Sequence, residues 1–187
     1  QLVARLAAIE GVDDLALTSN GVLLPKCARP LRDAGLRRLT VSMDSADPEV
    51  FRRMSGGRGE LAQVEAGIAA AEQAGFASLK INCVVMRGVN DGGVLDLVAR
   101  FRGSGHVVRF IEYMDVGTVN GWRSERVVPG AELVARIDAR WPLEPMPRNA
   151  SSTSRRWRRI CVRRSGPPCT WSAPTNSGER CRRWASS

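Results

Sequence analysis

The stretch GELAQVEAGIAAAEQAG (59–75) followed by SLKINCVVM (78–86) decides the fold. In the first segment apolar residues recur at Leu61, Val64, Ile68 and Ala71, the spacing of a helix face, and Gly75 closes it. The second segment is a near-continuous apolar run of strand length. Such a run predicts a strand buried on both faces, as in parallel sheets. Helix and buried strand in direct succession are the repeating half of a βαβ unit.

The alternation continues in both directions. Upstream, LLPKCARPLRDAG (23–35) predicts a helix with Pro25 near its start and Gly35 at its end, and RLTVSMD (38–44) a strand. DLALTSN (14–20) reads as an earlier strand. Gln1 opens directly into the helical pattern LVARLAAIEG (2–11) without a cap, as an internal segment of a longer chain does. Downstream, Asp91 is placed to cap a helix carrying Val94, Leu97, Val98 and Phe101. VVRFIEYM (107–114) reads as a fourth strand, and GAELVARIDARW (130–141) as a last helix before Pro142. Consecutive units of this kind form a barrel or an open doubly wound sheet. No G-x-G-x-x-G joins a strand to a helix and no phosphate-loop lysine motif occurs. The reading is therefore α/β, a partial (β/α) barrel of TIM type over residues 1–145.

Charge separates this region from the rest. The chain has 187 residues and a formal net charge of +9. Residues 1–150 hold 19 basic and 18 acidic side chains, whereas residues 151–187 hold nine arginines and the single acid Glu179. Residues 151–187 also lack Leu, Phe, Met and Tyr, and residues 146–187 are expected to form an Arg-rich tail that cannot build a core. The abrupt loss of Leu, Lys and Asp suggests a change of reading frame near residues 150–160; a basic, disordered extension is the alternative. Basic character thus belongs to the tail, which argues against reading the whole chain as a nucleic-acid binder. Apolar runs are too short for a membrane helix. An odd set of cysteines (Cys27, Cys83, Cys161, Cys169 and Cys181) without a signal peptide points to a reducing, cytoplasmic compartment.

In barrels of this kind chemistry gathers at the carboxyl edge of the strands. The strand ends offer Thr18-Ser19-Asn20, Ser42-Met43-Asp44, Lys80 with Asn82, and Arg109 with Glu112 and Met114. Read together on one rim, these residues suit a polar, phosphate-bearing ligand. Lys and Arg supply charge, and the hydroxyls and amide orient it. His106, the sole histidine, falls at a strand start, which disfavours hydrolysis by a histidine base. Each residue also has a purely structural reading. Lys80 ends a strand, Thr18 and Asn20 shape a turn, Ser42 caps backbone groups, Met114 fills core, and Arg109 pairs with an acid such as Glu112.

The segments TSNG (18–21), AGLRRLTVSMDSADPEVFRRM (34–54), LKINCVVMRGVND (79–91) and RFIEYMDVGTVNGW (109–122) resemble one family. It is the radical S-adenosylmethionine GTP 3',8-cyclases, the molybdenum cofactor biosynthesis protein A family. The resemblance implies a lyase on a partial barrel with S-adenosylmethionine and two 4Fe-4S clusters, acting on GTP and homodimeric when intact. A 5'-deoxyadenosyl radical would take the C3' hydrogen of GTP, and the ribose carbon would attack C8 to give (8S)-3',8-cyclo-7,8-dihydroguanosine 5'-triphosphate. The protein's share is binding, orientation and exclusion of water. By position, Thr18, Lys80 and Arg109 match residues facing GTP, and Ser42 and Met114 match residues contacting S-adenosylmethionine.

The chain departs from the family at both ends. The C-x-x-x-C-x-x-C string that holds the first cluster is absent, and Cys161, Cys169 and Cys181 do not reproduce the C-x-x-C pair of the second. No metal ligand is therefore assigned, and the 187 residues alone are expected to be inactive. Two other readings compete. One is a barrel lyase or aldolase with Lys80 as Schiff-base amine. The other is a non-catalytic scaffold whose Trp157, Trp171 and Trp184 among arginines bind nucleic acid.

Overall fold

The computed structural model describes residues 1–114 and 123–144. The elements run α1 (Leu2–Ala7), β1 (Ala16–Ser19), α2 (Leu24–Asp33), β2 (Arg38–Ser42), α3 (Pro48–Ser55), α4 (Leu61–Gln73), β3 (Lys80–Val85), α5 (Val94–Phe101), β4 (Val107–Glu112) and α6 (Gly130–Asp138). The expectations for the tail, with its three cysteines and three tryptophans, lie outside the described residues, as do residues 115–122 of the fourth resembling segment.

Among the described residues the strands form a four-stranded parallel sheet in the order β1-β2-β3-β4. Spatial order follows chain order without reversal. A doubly wound sheet reverses at a switch point, so the winding is that of a barrel arc. Each crossover carries a helix, which is how parallel neighbours are joined.

The core lies between helices and one side of this arc. Leu39, Val41 and Met43 from β2 and its exit, Ile81, Cys83 and Val85 from β3, and Val108 and Phe110 from β4 pack there with Leu24, Val64, Ile68, Leu97 and Ile137 of the helices. Each large aliphatic side chain so buried contributes about 1.5–3 kcal/mol. The expectation that β3 is buried on both faces is corrected: Ile81, Cys83 and Val85 are buried, whereas Lys80, Asn82 and Val84 are half-buried. Helices cover a single side of the arc, so the alternation of period two survives inside an apolar-looking run.

Two local readings also change. Helix α3 was absent from the periodicity reading. Asp47 starts it by accepting from the Val50 N–H at 2.8 Å, Pro48 occupies its first turn, and Gly56 ends it at φ 62°. Asp91 does not cap α5. A 3-10 turn (Asp91–Gly93) intervenes, so the Asp91 carboxylate instead accepts from the Gly88 N–H at 2.8 Å, inside the preceding loop.

Candidate functional site

Of the polar residues read from the strands, Thr18, Ser42, Lys80, Asn82 and Arg109 alternate with the core residues and stand on the other side of the sheet, whereas Ser19 and Glu112 register with the core residues Val41 and Val85. Register aligns them in two rows. Thr18 pairs with Thr40, Thr40 with Lys80, and Lys80 with Val107. One pleat further along, Ser42 pairs with Asn82 and Asn82 with Arg109. Neighbouring strands lie about 4.8 Å apart, so each row spans about 10 Å over three strands, roughly the size of a nucleoside with its first phosphates. Thr18, Ser42, Lys80 and Arg109 thus share one surface.

That surface is not the carboxyl rim throughout. Lys80 is the first residue of β3, at its amino end, and Arg109 is the third residue of β4. The rim reading is corrected for these residues: they belong to the open face along its length. Met114 follows β4 at the carboxyl side and is 41% exposed, not core filler. Thr40, next to both Thr18 and Lys80, was missed by the reading of strand ends. Its signal was the two-residue step to Ser42 within LTVSM.

Other candidates have structural partners. Asn20 Oδ1 accepts from the Val22 N–H at 3.3 Å, and Ser19 Oγ accepts from the Gly21 N–H at 3.1 Å, so both shape the turn leaving β1. Glu112 Oε1 accepts from the Gly130 N–H at 2.6 Å, at the start of α6. His106 sits buried before β4, its Nε2 2.9 Å from Glu72 Oε1 and its ring 6.1 Å from that of Phe101. The Nε2 contact lacks hydrogen-bond alignment, so proximity rather than a formed bond describes it.

Electrostatics concentrate just past the second row. Burial pushes the Asp44 carboxyl above its usual range, partly offset by the Val84 N–H that donates to Oδ1 at 2.8 Å. The Cys83 thiol is pushed well up, first by burial and then by the charge of Asp44. Cys83 is therefore an inert core thiol, not a thiolate ligand. Cys27 donates to the carbonyl of Leu23, the residue before α2. Among the described residues no group of three His, Cys, Asp or Glu comes together to hold a metal, so these residues do not supply the thiolates of an iron–sulfur cluster. A polar organic ligand fits better. Asn82 Oδ1, between Ser42 and Arg109, is buried without a donor, an acceptor that a ligand hydroxyl, amine or ammonium would satisfy.

Fold and face together define a partial β/α barrel unit with a polar open face. The model of the Radical SAM superfamily matches residues 1–101, and the chain belongs to that superfamily. Membership implies use of S-adenosylmethionine with an iron–sulfur cluster. Among its relatives is the GTP 3',8-cyclase of Xanthomonas campestris pv. campestris (strain 8004), 67% identical over 148 residues. That match covers 79% of this chain and 44% of the relative. The GTP 3',8-cyclase of Acidothermus cellulolyticus is 56% identical over 147 residues, covering 79% of this chain and 41% of the relative. The chain thus spans less than half the length of these curated relatives. Solved structures share the fold at low identity. A structure of TYW1 with a lysine-pyruvate adduct bound superposes with TM-score 0.51 at 19% identity, covering 73% of this chain and 44% of that one. Coproporphyrinogen III oxidase (HemN) from Escherichia coli gives 0.50 at 14%, covering 67% and 31%. No described helix is long and apolar enough to cross a membrane.

Proposed function

We propose that this chain carries the barrel unit of a GTP 3',8-cyclase of molybdenum cofactor biosynthesis, and that its open face holds the nucleotide. The observation that carries this reading is the 67% identity to a curated cyclase over 148 residues, 79% of the chain. Lys80 and Arg109 meet the phosphates of GTP, where cations are most strongly recognised. Thr18, one strand beyond Thr40 in the first row, orients the same ligand through its hydroxyl. Ser42 and Met114 face S-adenosylmethionine. Met114 lends a polarizable, exposed thioether to an adenine or sulfonium group.

The intact enzyme carries two 4Fe-4S clusters and S-adenosylmethionine, which supply the radical. The role of residues 1–145 is to bind and orient GTP and S-adenosylmethionine on the open face.

Calorimetric titration of the chain with GTP and with guanosine tests this reading. Lys80→Ala should weaken GTP by about tenfold to a hundredfold, the value of a charge-assisted hydrogen bond, and leave guanosine unchanged. Equal GTP affinity in wild type and Lys80→Ala overturns it. An adduct trapped at Lys80 by borohydride with a carbonyl compound would redirect the assignment to Schiff-base chemistry.

A further inference from the structure

RGVND (87–91) is a specific part of the resemblance, and its charged side chains have partners outside the two rows: Arg87 meets Glu132, and Asp91 accepts from the Gly88 N–H. Its buried member is Asn90, 4% exposed. Asn90 Nδ2 donates to the Asp44 carbonyl at 2.7 Å and to the Val84 carbonyl at 2.8 Å, while Oδ1 accepts from the Met86 N–H at 2.8 Å. Both N–H groups and the carbonyl of the amide are thus engaged.

These bonds sit where β2 leaves β3. The ladder between the two strands runs as far as the Met43 N–H, which donates to the Asn82 carbonyl at 2.9 Å. At the next donor along β3 the backbone of β2 is replaced by a side chain, because the Val84 N–H goes to the Asp44 carboxylate. Asn90 then ties the Asp44 backbone to Val84 and Met86. It substitutes for the missing ladder at the point where the strands diverge. Ser42 and Asn82, registered partners on the open face, lie immediately before that point. The same loop is anchored on its far side. Met86 bridges to Val127, the Arg87 N–H donates to the Arg126 carbonyl at 2.9 Å, and the Arg87 guanidinium grips Glu132.

We propose that Asn90 is a positioning residue: bridging Asp44 to the exit of β3, it fixes the spacing of Ser42 and Asn82 and so the second row of the ligand-binding face. The identity of the ligand rests on the function proposed above; the positioning does not. An amide is required because the task needs two donors and an acceptor within one short side chain. Aspartate would supply no donors, and leucine would leave the Asp44 and Val84 carbonyls and the Met86 N–H buried without partners.

Disulfide formation in the full 187-residue chain measures the spacing directly. Neighbouring strands hold Cα atoms about 4.8 Å apart, within the range a disulfide spans. Ser42→Cys/Asn82→Cys reports the second row, and Thr40→Cys/Lys80→Cys the first row, remote from Asn90. The bridged peptides are identified by mass. Adding Asn90→Ala should slow bridging at 42/82 by about tenfold, the loss expected when buried hydrogen bonds are removed, and leave 40/80 unchanged. Val98→Ala, a core truncation in α5 that leaves these bonds intact, should lower the melting temperature and change neither rate. Equal slowing at both pairs, or slowing at 42/82 by Val98→Ala, overturns the proposal in favour of general destabilisation. GTP titration of Asn90→Ala at a temperature where it is folded should show about tenfold weaker binding. If wild type itself binds no GTP, the function proposed above fails, and the cross-linking rates still decide the positioning.

Discussion

Gly67→Ala sets two opposing effects of known sign against each other. Gly67 lies in the middle of α4, where alanine gains about 1 kcal/mol of helix propensity over glycine. A Cβ at this position would run into the Gly21 carbonyl oxygen, come within 3.0 Å of the carbonyl carbon, and stand 3.3 Å from Leu24 Cβ. The obstacle is backbone, not the end of a flexible side chain. That carbonyl also accepts the Leu24 N–H at 3.1 Å at the start of α2. Moving it therefore disturbs the turn that leaves β1 directly after Thr18-Ser19-Asn20. Overpacking of a close-packed core costs about 1–3 kcal/mol, and a rigid obstacle belongs at the upper end. The net loss is about 1–2 kcal/mol, or about 3–10 °C in melting temperature for a domain of this size. Thermal unfolding followed by circular dichroism reads it. Ala69→Gly, on the exposed side of the same helix, serves as the propensity control and should lose about 1 kcal/mol. A melting temperature for Gly67→Ala equal to or above wild type would mean that α4 does not seat against the β1 exit, and the packing argument would fall.

The remaining predictions concern charge. Because burial raises the Asp44 carboxyl in the folded state, the folded chain binds that proton more tightly than the unfolded chain does. Its contribution to stability is therefore fullest below the unfolded value of about 3.9 and is lost as pH rises through the raised folded value. Urea midpoints measured from about pH 4 upward should fall in wild type more than in Asp44→Asn, whose amide oxygen still accepts from Val84; parallel slopes would remove Asp44 as the cause. Arg87 and Glu132 meet at 2.6 Å, with side chains 43% and 35% exposed. A double-mutant cycle with alanine at both positions should give a coupling below about 1 kcal/mol that fades at high salt. A salt-independent coupling of several kcal/mol would show a desolvated pair instead.

Much of the fold was legible because helix and strand periods are written in local composition. Leu61, Val64, Ile68 and Ala71 mark α4 at helical spacing, and all four are buried. Pro25 and Gly35 bracket α2 as their fixed and free backbones require. Helix α3 escaped because its start is announced by capping chemistry at Asp47-Pro48 rather than by a run of apolar periods. Asp91 misled for a related reason: a capping residue looks the same whether it serves a helix or the loop before it.

The sequence by itself determined the class of the chain: alternating helices and apolar strands, the glycines and prolines that punctuate them, and the strings that carry the family resemblance. Tertiary structure decided which face each residue serves. KINCVV reads as uniformly apolar apart from Lys80 and Asn82, and pairing with β2 and β4 was needed to put Ile81, Cys83 and Val85 into the core and leave the alternate residues on the other side. It also brought Thr40 between Thr18 and Lys80, moved Lys80 away from the carboxyl rim, and set Asn90 against Asp44, 46 residues away in the chain, where β2 and β3 part. Periodicity is a local property, set by the geometry of one strand or helix. Register and the side on which helices pack are set by contacts between segments distant in sequence, and no local pattern encodes them.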